Sequence, residues 1–481
     1  MPDTRYITTI GLEVHVQLNT ISKLFCADST EFGQEQNSQV GVVSLAYPGA
    51  LPVLNERAVE LALRLAIATK SEIADVMMFD RKNYFYPDLP KGYQITQDRA
   101  PIARGGFVPV EVDGTIFEVN LTKMHLEEDA GKSIHDISET HTLIDYNRAG
   151  VPLVEVVTEP IFSNGKQVAE FLATMRRLVR YLGVSDANME EGSLRCDVNI
   201  SLRREGEVEL GNKAEIKNLN SIRFVQKAIG YEQERQELLL NAGEEVIQET
   251  RLFDPESGTT RSMRMKETLT DYRYFPDPDL PAFVLAKEMV DNVREKMPFV
   301  PWEIKDQLVN KYGLPTYDAE VLTEEREIAE FYLELADSTG LAKACSNWIM
   351  GPVKGYLNES RSNIRSFPLS IGQLGKVISL VESGAIPNSS ASKILFPALL
   401  EKPGENVEDL AIELGLIGSD DDEKELSDLI DVLWDEYPNE ASEFAGGKKK
   451  LLGMFMGEVM KRTGGKADPG VVRNLLFKKI D

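Results

Sequence analysis

A carboxylate and an imidazole stand two residues apart in the run Gly11-Leu12-Glu13-Val14-His15-Val16-Gln17-Leu18. The run alternates without a break. In an extended chain Glu13, His15 and Gln17 share one face, and Leu12, Val14, Val16 and Leu18 share the other. A Glu-x-His pair on one strand face can hold a metal ion. Taken alone, it is also what a surface strand carries by chance. Three further stretches repeat the pattern. Arg195, Asp197, Asn199 and Ser201 alternate with Cys196, Val198, Ile200 and Leu202, and Glu215 and Lys217 alternate with Ala214, Ile216 and Asn218. Val119 to Asp129 alternates less cleanly, carries His125, and ends in Glu127, Glu128 and Asp129. A fourth segment, Thr142 to Glu159, places Asp145, Asn147, Arg148, Glu155 and Glu159 among apolar residues.

These strands predict a sheet with one apolar face against helices and one face of carboxylates, His, Asn, Arg and Lys. Glu13, His15, Glu127, Glu128, Asp197, Asn199 and Glu215 on one face would repel one another unless cations entered. Two of the four histidines, His15 and His125, lie in these acidic motifs. Oxygen-rich ligands with few His favour Mg²⁺ or Mn²⁺ over zinc. Mg²⁺ commonly bridges to substrate phosphates, which makes ATP the natural nucleotide. Arg195, Lys217 or Arg148 would neutralise the charge that develops in phosphoryl transfer. Ala130-Gly131-Lys132-Ser133 imitates the end of a P-loop, but the first glycine of that motif would be Leu126 and the loop would carry Glu127, Glu128 and Asp129 where phosphates need donors. No GxGxxG follows a strand, and no GxSxG is present.

Two aromatic-proline loops form a second feature, Asn83-Tyr84-Phe85-Tyr86-Pro87-Asp88-Leu89-Pro90-Lys91-Gly92-Tyr93 and Tyr272-Arg273-Tyr274-Phe275-Pro276-Asp277-Pro278-Asp279-Leu280-Pro281. Proline fixes φ, and the rings can stack on a base, line a passage or pack a corner. Arg81, Lys82, Lys91 and Arg273 beside them point to an anionic ligand.

The elements that must position these groups follow from periodicity. Helices are predicted over Glu56 to Ala68, after a cap at Ser163-Asn164 until Gly183, and from Ser221 to about Asn241. Strands are predicted at 194–202 and 207–219. Beyond about residue 290 the pattern is of short helices. A chain of 481 residues exceeds one core, so two to four domains are expected. No apolar run approaches a membrane span, and Met1 to Tyr6 has neither a signal nor a transit pattern. Cys26, Cys196 and Cys345 lie apart without a CxxC, which fits a reducing cytoplasm. With 53 Lys and Arg against 78 Asp and Glu, the net charge of −25 excludes nucleic-acid binding through the overall field, so any RNA contact must be local. The C-terminus splits by charge. Glu401 to Gly447 carries a net −14, and Lys448 to Asp481 a net +6.

In this order, GLEVHVQL, KNYFYPDLPKGYQI, HLEEDAGKS, DYNRAGVPLVEVVTEP, RCDVNIS, EIKNLNS and RYFPDPDLP resemble the B subunits of aspartyl/glutamyl-tRNA(Asn/Gln) amidotransferase, the GatB family. The resemblance covers residues 5–285, and roughly 330–481 looks like that family's tail. It implies an α+β fold. A cradle domain with an antiparallel sheet would span 1–293, a helical domain 294–405, and a small all-α, YqeY-like tail 406–481. It also implies an ATP- and Mg²⁺-dependent ligase that phosphorylates the side-chain carboxylate of Glu or Asp misacylated on tRNA, so that ammonia can displace phosphate. An A subunit would supply ammonia from glutamine and a C subunit would complete a heterotrimer, with no membrane involved.

Carried onto this sequence, the family motifs offer Glu13, His15, Glu127, Glu128 and Glu215 as metal ligands, with Asp197 and Asn199 near the same centre. Asp197, Asn199, Arg195 and Lys217 are expected to act in catalysis, and Arg148 and Lys217 to contact nucleotide. Lys82, Tyr84 and Lys91 would line the ammonia passage. Lys448, Lys449, Lys450, Lys461, Arg462, Lys478 and Lys479, with Lys466 and Arg473, would contact tRNA. Strand parity leaves Glu127 and Glu128 undecided, because a bulge exchanges them. Two other functions remain: a non-catalytic tRNA-binding subunit with a structural metal site, and an independent ATP-dependent ligase acting on a small molecule. The cysteines lack a recognisable histidine partner, so ammonia must come from elsewhere.

Overall fold

The structure is a computed structural model that describes residues 5–135, 137–138, 140–265, 272–417, 420–464, 467 and 469–479, excepting the side chains of 264, 265, 420–423 and 449. The chain divides into two compact units, Met1–Asp306 with Glu324–Arg326, and Gln307–Thr323 with Glu327–Asp481.

The first unit is built on a ten-stranded sheet. Its strands in chain order are β1 (Tyr6–Gln17), β2 (Glu72–Ile73), β3 (Ala103–Arg104), β4 (Phe107–Val112), β5 (Thr115–Glu128), β6 (Pro152–Thr158), β7 (Leu194–Arg204), β8 (Ala214–Lys217), β9 (Glu249–Asp254) and β10 (Thr259–Met265). They run across the sheet as β10-β9-β8-β7-β1-β6-β5-β3-β2, with β4 paired to β5. All pairs are antiparallel except β8 with β9. The predicted strand over 207–219 is confined to Ala214–Lys217. Residues 205–206 turn, and Gly211 passes so close to β7 that a Cβ there would lie 2.1 Å from the Leu202 carbonyl oxygen, which leaves no room for a ladder partner.

The first-strand alternation is realised residue by residue. Ile10, Leu12, Val14 and Val16 are buried, while Glu13, His15 and Gln17 are partly open. The buried side packs with α1 (Glu56–Ala68) and α2 (Gly165–Tyr181) into one core. From α2 that core takes Val168, Phe171, Leu172, Met175, Leu178 and Val179. Each such side chain contributes roughly 1.5–3 kcal/mol relative to exposure. Asn55 caps α1 by accepting from the Arg57 N–H, and Asn164 caps α2 by accepting from Gln167 at 3.0 Å. Gly183 (φ +65°) ends α2 in the left-handed region that glycine tolerates. A third helix, α3 (Ile222–Asn241), is capped by Ser221 and locked to β9 and β10 by buried Glu232, which pairs with Arg251 and accepts from Thr260.

In the second unit the regular elements among the described residues are all helical, including two π-helical turns at Ile349–Val353 and Ala391–Leu395. The helix Val407–Glu413 packs on Ile371–Glu382, where Lys376 meets Glu408 at 2.5 Å. Residues from Asp420 onward close a separate small core of Ile430, Leu433, Phe444, Phe455, Val459, Val472 and Leu476. No helix among the described residues is long and apolar enough to cross a membrane.

Candidate active site

Register brings the polar residues of four strands into rows. Arg195 of β7 faces His15 of β1, His15 faces Glu155 of β6, and Glu155 faces His125 of β5. In the next row Asp197 faces Glu13. Opposed residues in a sheet point to the same side, so six polar side chains meet over four strands that are distant in sequence.

Two clusters result. In the first, His15 Nε2 lies 3.3 Å from Glu155 and 3.5 Å from Glu127, and His125 Nε2 lies 3.3 Å from Glu155 and 3.7 Å from Glu127. Burial alone would lower both imidazole pKa values. The neighbouring carboxylates outweigh it, raising His15 and pushing His125 up to about 9. Burial would likewise raise Glu155, but the two imidazoles hold it well below the usual carboxylate range. In the second cluster Glu13, Asp197 and Glu215 present oxygens within 4.8 Å of one another. Burial, then Glu155, Asp197 and Glu215, raise the Glu13 pKa. Asn199 Nδ2 donates to Glu13 at 2.9 Å, Thr250 Oγ1 donates to Glu215 at 2.9 Å, and Lys217 Nζ reaches Asp197 at 2.5 Å and Glu215 at 3.4 Å.

Both clusters suit a hard divalent cation. Each joins three ligand-bearing side chains, mostly carboxylates. Buried polar atoms beside them also lack partners among the described residues, namely Asn199 Oδ1 in the second cluster and His125 Nδ1 in the first. Asn199 Oδ1, a buried acceptor on a residue already bonded to Glu13, is the kind of group a cation or its water satisfies.

The structure separates the two adjacent acids. The β5–β6 irregularity falls at Val157/Thr158, so parity runs unbroken from His125 to Glu127. Glu128 points to the other face, where Lys91 Nζ grips its carboxylate and the Ile95 N–H donates to it at 2.9 Å. Of the predicted ligands, Glu128 is therefore not brought to either cluster, because its strand parity and its pairing with Lys91 hold it elsewhere. Glu155 was not among the predicted ligands and sits at the centre of the first cluster. Its sequence signal was present: it is the one charged residue in Pro152–Thr158, on the parity of the site face.

Arg195 Nη2 donates to Asp129 at 2.9 Å, and Arg148 donates to the carbonyl oxygens of Ala130 (3.0 Å) and Gly131 (2.7 Å), so Arg148 braces the 129–131 turn. Gly131 serves that turn too. A Cβ there would lie 2.9 Å from the Asp88 carbonyl oxygen, and Lys132–Ile134 runs as a strand, so the P-loop look-alike is a packing corner.

The two aromatic-proline segments meet. Phe275 pairs with Arg81 as neighbouring strands, Tyr84 and Tyr272 lie 6.1 Å apart, and Lys82 Nζ sits 4.9 Å over Tyr272 and 5.7 Å over Tyr84. Arg81 is bound by Asp277 (2.8 Å) and Asp279 (2.9 Å) and stacks on Tyr93, so its charge is taken up in clamping the segments together. Burial, then Glu127, Glu128 and Asp129, raise the Tyr84 phenol, which stays neutral beside the acids.

In the tail, several predicted tRNA contacts have internal partners. Lys448 pairs with Glu443 at 2.7 Å, Lys461 with Glu458 at 3.7 Å, Arg462 with Glu436, and Lys479 with Asp431. Lys450 and Lys478 have no ion pair among the described residues. Lys466 and the Lys449 side chain lie outside the described residues.

Comparison with known proteins agrees with this architecture. Residues 8–291 match the GatB/GatE catalytic domain, and residues 330–480 match the GatB domain. The chain is 46% identical over 477 residues to the aspartyl/glutamyl-tRNA(Asn/Gln) amidotransferase B subunit of Pelodictyon phaeoclathratiforme, covering 99% of this chain and 100% of that protein. It is 45% identical to the protein of the same name from Thermodesulfovibrio yellowstonii (98% and 99% covered) and to that from Crocosphaera subtropica (99% and 98% covered).

Proposed function

The chain belongs to the aspartyl/glutamyl-tRNA(Asn/Gln) amidotransferase B-subunit family, and from that premise we propose that its paired acidic clusters are the carboxylate-activating centre of the reaction. The chain is one subunit of a multi-subunit ligase of translation that amidates Glu or Asp carried on tRNA. The finer assignment is our reading: the partners are a glutaminase A subunit and a C subunit in a cytoplasmic heterotrimer, and the cosubstrate is ATP with Mg²⁺.

The observation that carries this reading is the pair of metal-competent clusters two residues apart along β1, on one face of the sheet. Ammonia cannot displace oxide from a carboxylate. The carboxylate must first gain a leaving group, and phosphate is one. Bound at this face, Mg²⁺ and ATP would supply the phosphoryl group and positive charge for its transfer. His15, Glu127 and Glu155 would hold one metal ion, and Glu13, Asp197 and Glu215 a second. Asn199 and Thr250 orient Glu13 and Glu215 by donated hydrogen bonds. Arg195, kept in place by Asp129, lies opposite His15, where it can bind the reacting carboxylate or phosphate. Lys82 and Tyr84 would line the ammonia passage, while Lys91 holds Glu128. Cations of the tail, foremost Lys450 and Lys478, would meet tRNA.

The test is ATP hydrolysis by the complex reconstituted with its A and C partners, with and without Glu-tRNA. Wild type is compared with Glu13→Gln and Glu127→Gln. Phosphate release that depends on charged tRNA and collapses in both variants, while assembly and glutamine hydrolysis persist, is the expected result. Wild-type phosphate release in both variants would move the ATP site off this face.

A further inference from the structure

The two clusters balance their negative charge differently. The first is balanced by His15 and His125, both held within the sheet. The second brings together three carboxylates, and a lysine on a flexible stem pairs with two of them. Lys217 follows Glu215 by two residues on β8, so both project to the site face. Its side chain is 40% exposed, whereas those of Asp197 and Glu215 are 16% and 8% exposed. The lysine therefore enters the cluster from its more open side, with its ammonium drawn in by the carboxylates. Its flexible stem has the reach to find another anion nearby.

We propose that Lys217 is the resident counter-cation of the Glu13–Asp197–Glu215 cluster, and that it must withdraw from Asp197 and Glu215 for a divalent ion to be bound there. This rests on the metal reading of the preceding section. An ammonium 2.5 Å from Asp197 and 3.4 Å from Glu215 neutralises carboxylates that a metal would also need. The two cations thus compete for the same carboxylates. Once withdrawn, Lys217 needs a new anionic partner, and the phosphate oxygens of a nucleotide entering with the metal supply one. Lys217 thereby holds the metal-free cluster together and makes occupancy by metal without nucleotide unfavourable. Binding free energies are reciprocal, so nucleotide that captures Lys217 strengthens metal binding by the same factor that metal strengthens nucleotide binding.

The test is Mn²⁺ binding to the full chain, followed by electron paramagnetic resonance of the free ion. Wild type is compared with Lys217→Met, Lys217→Arg and Glu13→Gln/Lys217→Met. Removing one positive charge beside a dication is expected to tighten one class of Mn²⁺ site about tenfold. Lys217→Arg should keep the weak wild-type affinity, and the double variant should lose the gain. Lys217→Met should at the same time slow ATP turnover of the reconstituted complex, so tighter metal accompanies poorer catalysis. A purely structural role would not give that pairing. Mn²⁺ affinity that is unchanged or weaker in Lys217→Met overturns the counter-cation role alone. Absence of Mn²⁺ binding to every chain overturns the metal reading, and this proposal with it.

Discussion

Replacing Glu155 by Gln removes one charge from the centre of the first cluster and nearly preserves the shape. Glu155 Oε2 is 3.3 Å from both His15 and His125, so a metal held by His15 and Glu127 lies close to it as well. A unit charge about 4 Å from a dication is worth about 2 kcal/mol even at the dielectric of water. The loss is larger in this partly buried setting. The floor corresponds to about a thirtyfold loss of affinity. The assay is Mn²⁺ or Mg²⁺ titration of the full chain by calorimetry at neutral pH, with the melting temperature of each protein recorded alongside. Glu155→Gln should weaken one class of site by at least that factor, while Glu159→Gln, an acid just beyond the end of the same strand, should leave it unchanged. Equal affinities for wild type and Glu155→Gln would refute the first cluster as a metal site.

Three other outcomes follow from the described contacts. Lys91→Met leaves Glu128 as a buried, unpaired charge and should destabilise the first unit by about 3 kcal/mol in urea melts, most of it recovered in Lys91→Met/Glu128→Gln; a lysine serving only ammonia passage would show no stability change. In the second unit, burial would raise the Asp318 pKa, but Lys343 (2.5 Å) and Ser346 (2.6 Å) depress it below its ordinary value. Its contribution is therefore present above the unfolded carboxylate pKa and lost as pH falls through the lower folded one. Asp318→Asn should cost about 1–3 kcal/mol at neutral pH and flatten the acid limb of thermal melts by circular dichroism, and an unaltered acid limb would exclude Asp318 as its source. Changing Lys448, Lys449 and Lys450 together to Glu should weaken tRNA binding and reduce its salt slope by about two, fewer than the three charges changed because Lys448 already pairs with Glu443; an unchanged slope would remove the tail from the tRNA contact.

The site was largely legible in the sequence because it is a strand face. Period-2 alternation places Glu13, His15, Asp197, Asn199, Glu215 and Lys217 on one side, and the register brings them together. Alternation says which side a residue faces, but not which strands are neighbours. That is why Glu155 escaped: within Pro152–Thr158 it is a lone acid, and only pairing with both β1 and β5 gives it two histidines. Glu128 shows the reverse case. Its type fitted a ligand, but its parity turns it to Lys91, 37 residues away in sequence. Arg81 and Arg148 were expected to face anionic ligands. The first closes on Asp277 and Asp279, and the second on two backbone carbonyls, partners that no local pattern reveals. The helices were the easiest part, since the caps Asn55, Asn164 and Ser221 are local chemistry.

The position of β1 has a consequence for biosynthesis. It leaves the ribosome well before its neighbours, Pro152–Thr158 and Leu194–Arg204. At ordinary elongation rates its two hydrogen-bonding edges wait roughly ten to thirty seconds for the nearer partner and longer for the other. Through that interval Ile10, Leu12, Val14 and Val16 form an apolar, β-prone stripe with nothing to pair with. Glu13, His15 and Gln17 interrupt that stripe on alternate positions. The polar residues of the candidate site thus also act as gatekeepers against aggregation of the nascent chain, and substitutions that neutralise Glu13 should lower the yield of folded protein on synthesis even where the finished molecule is as stable as before.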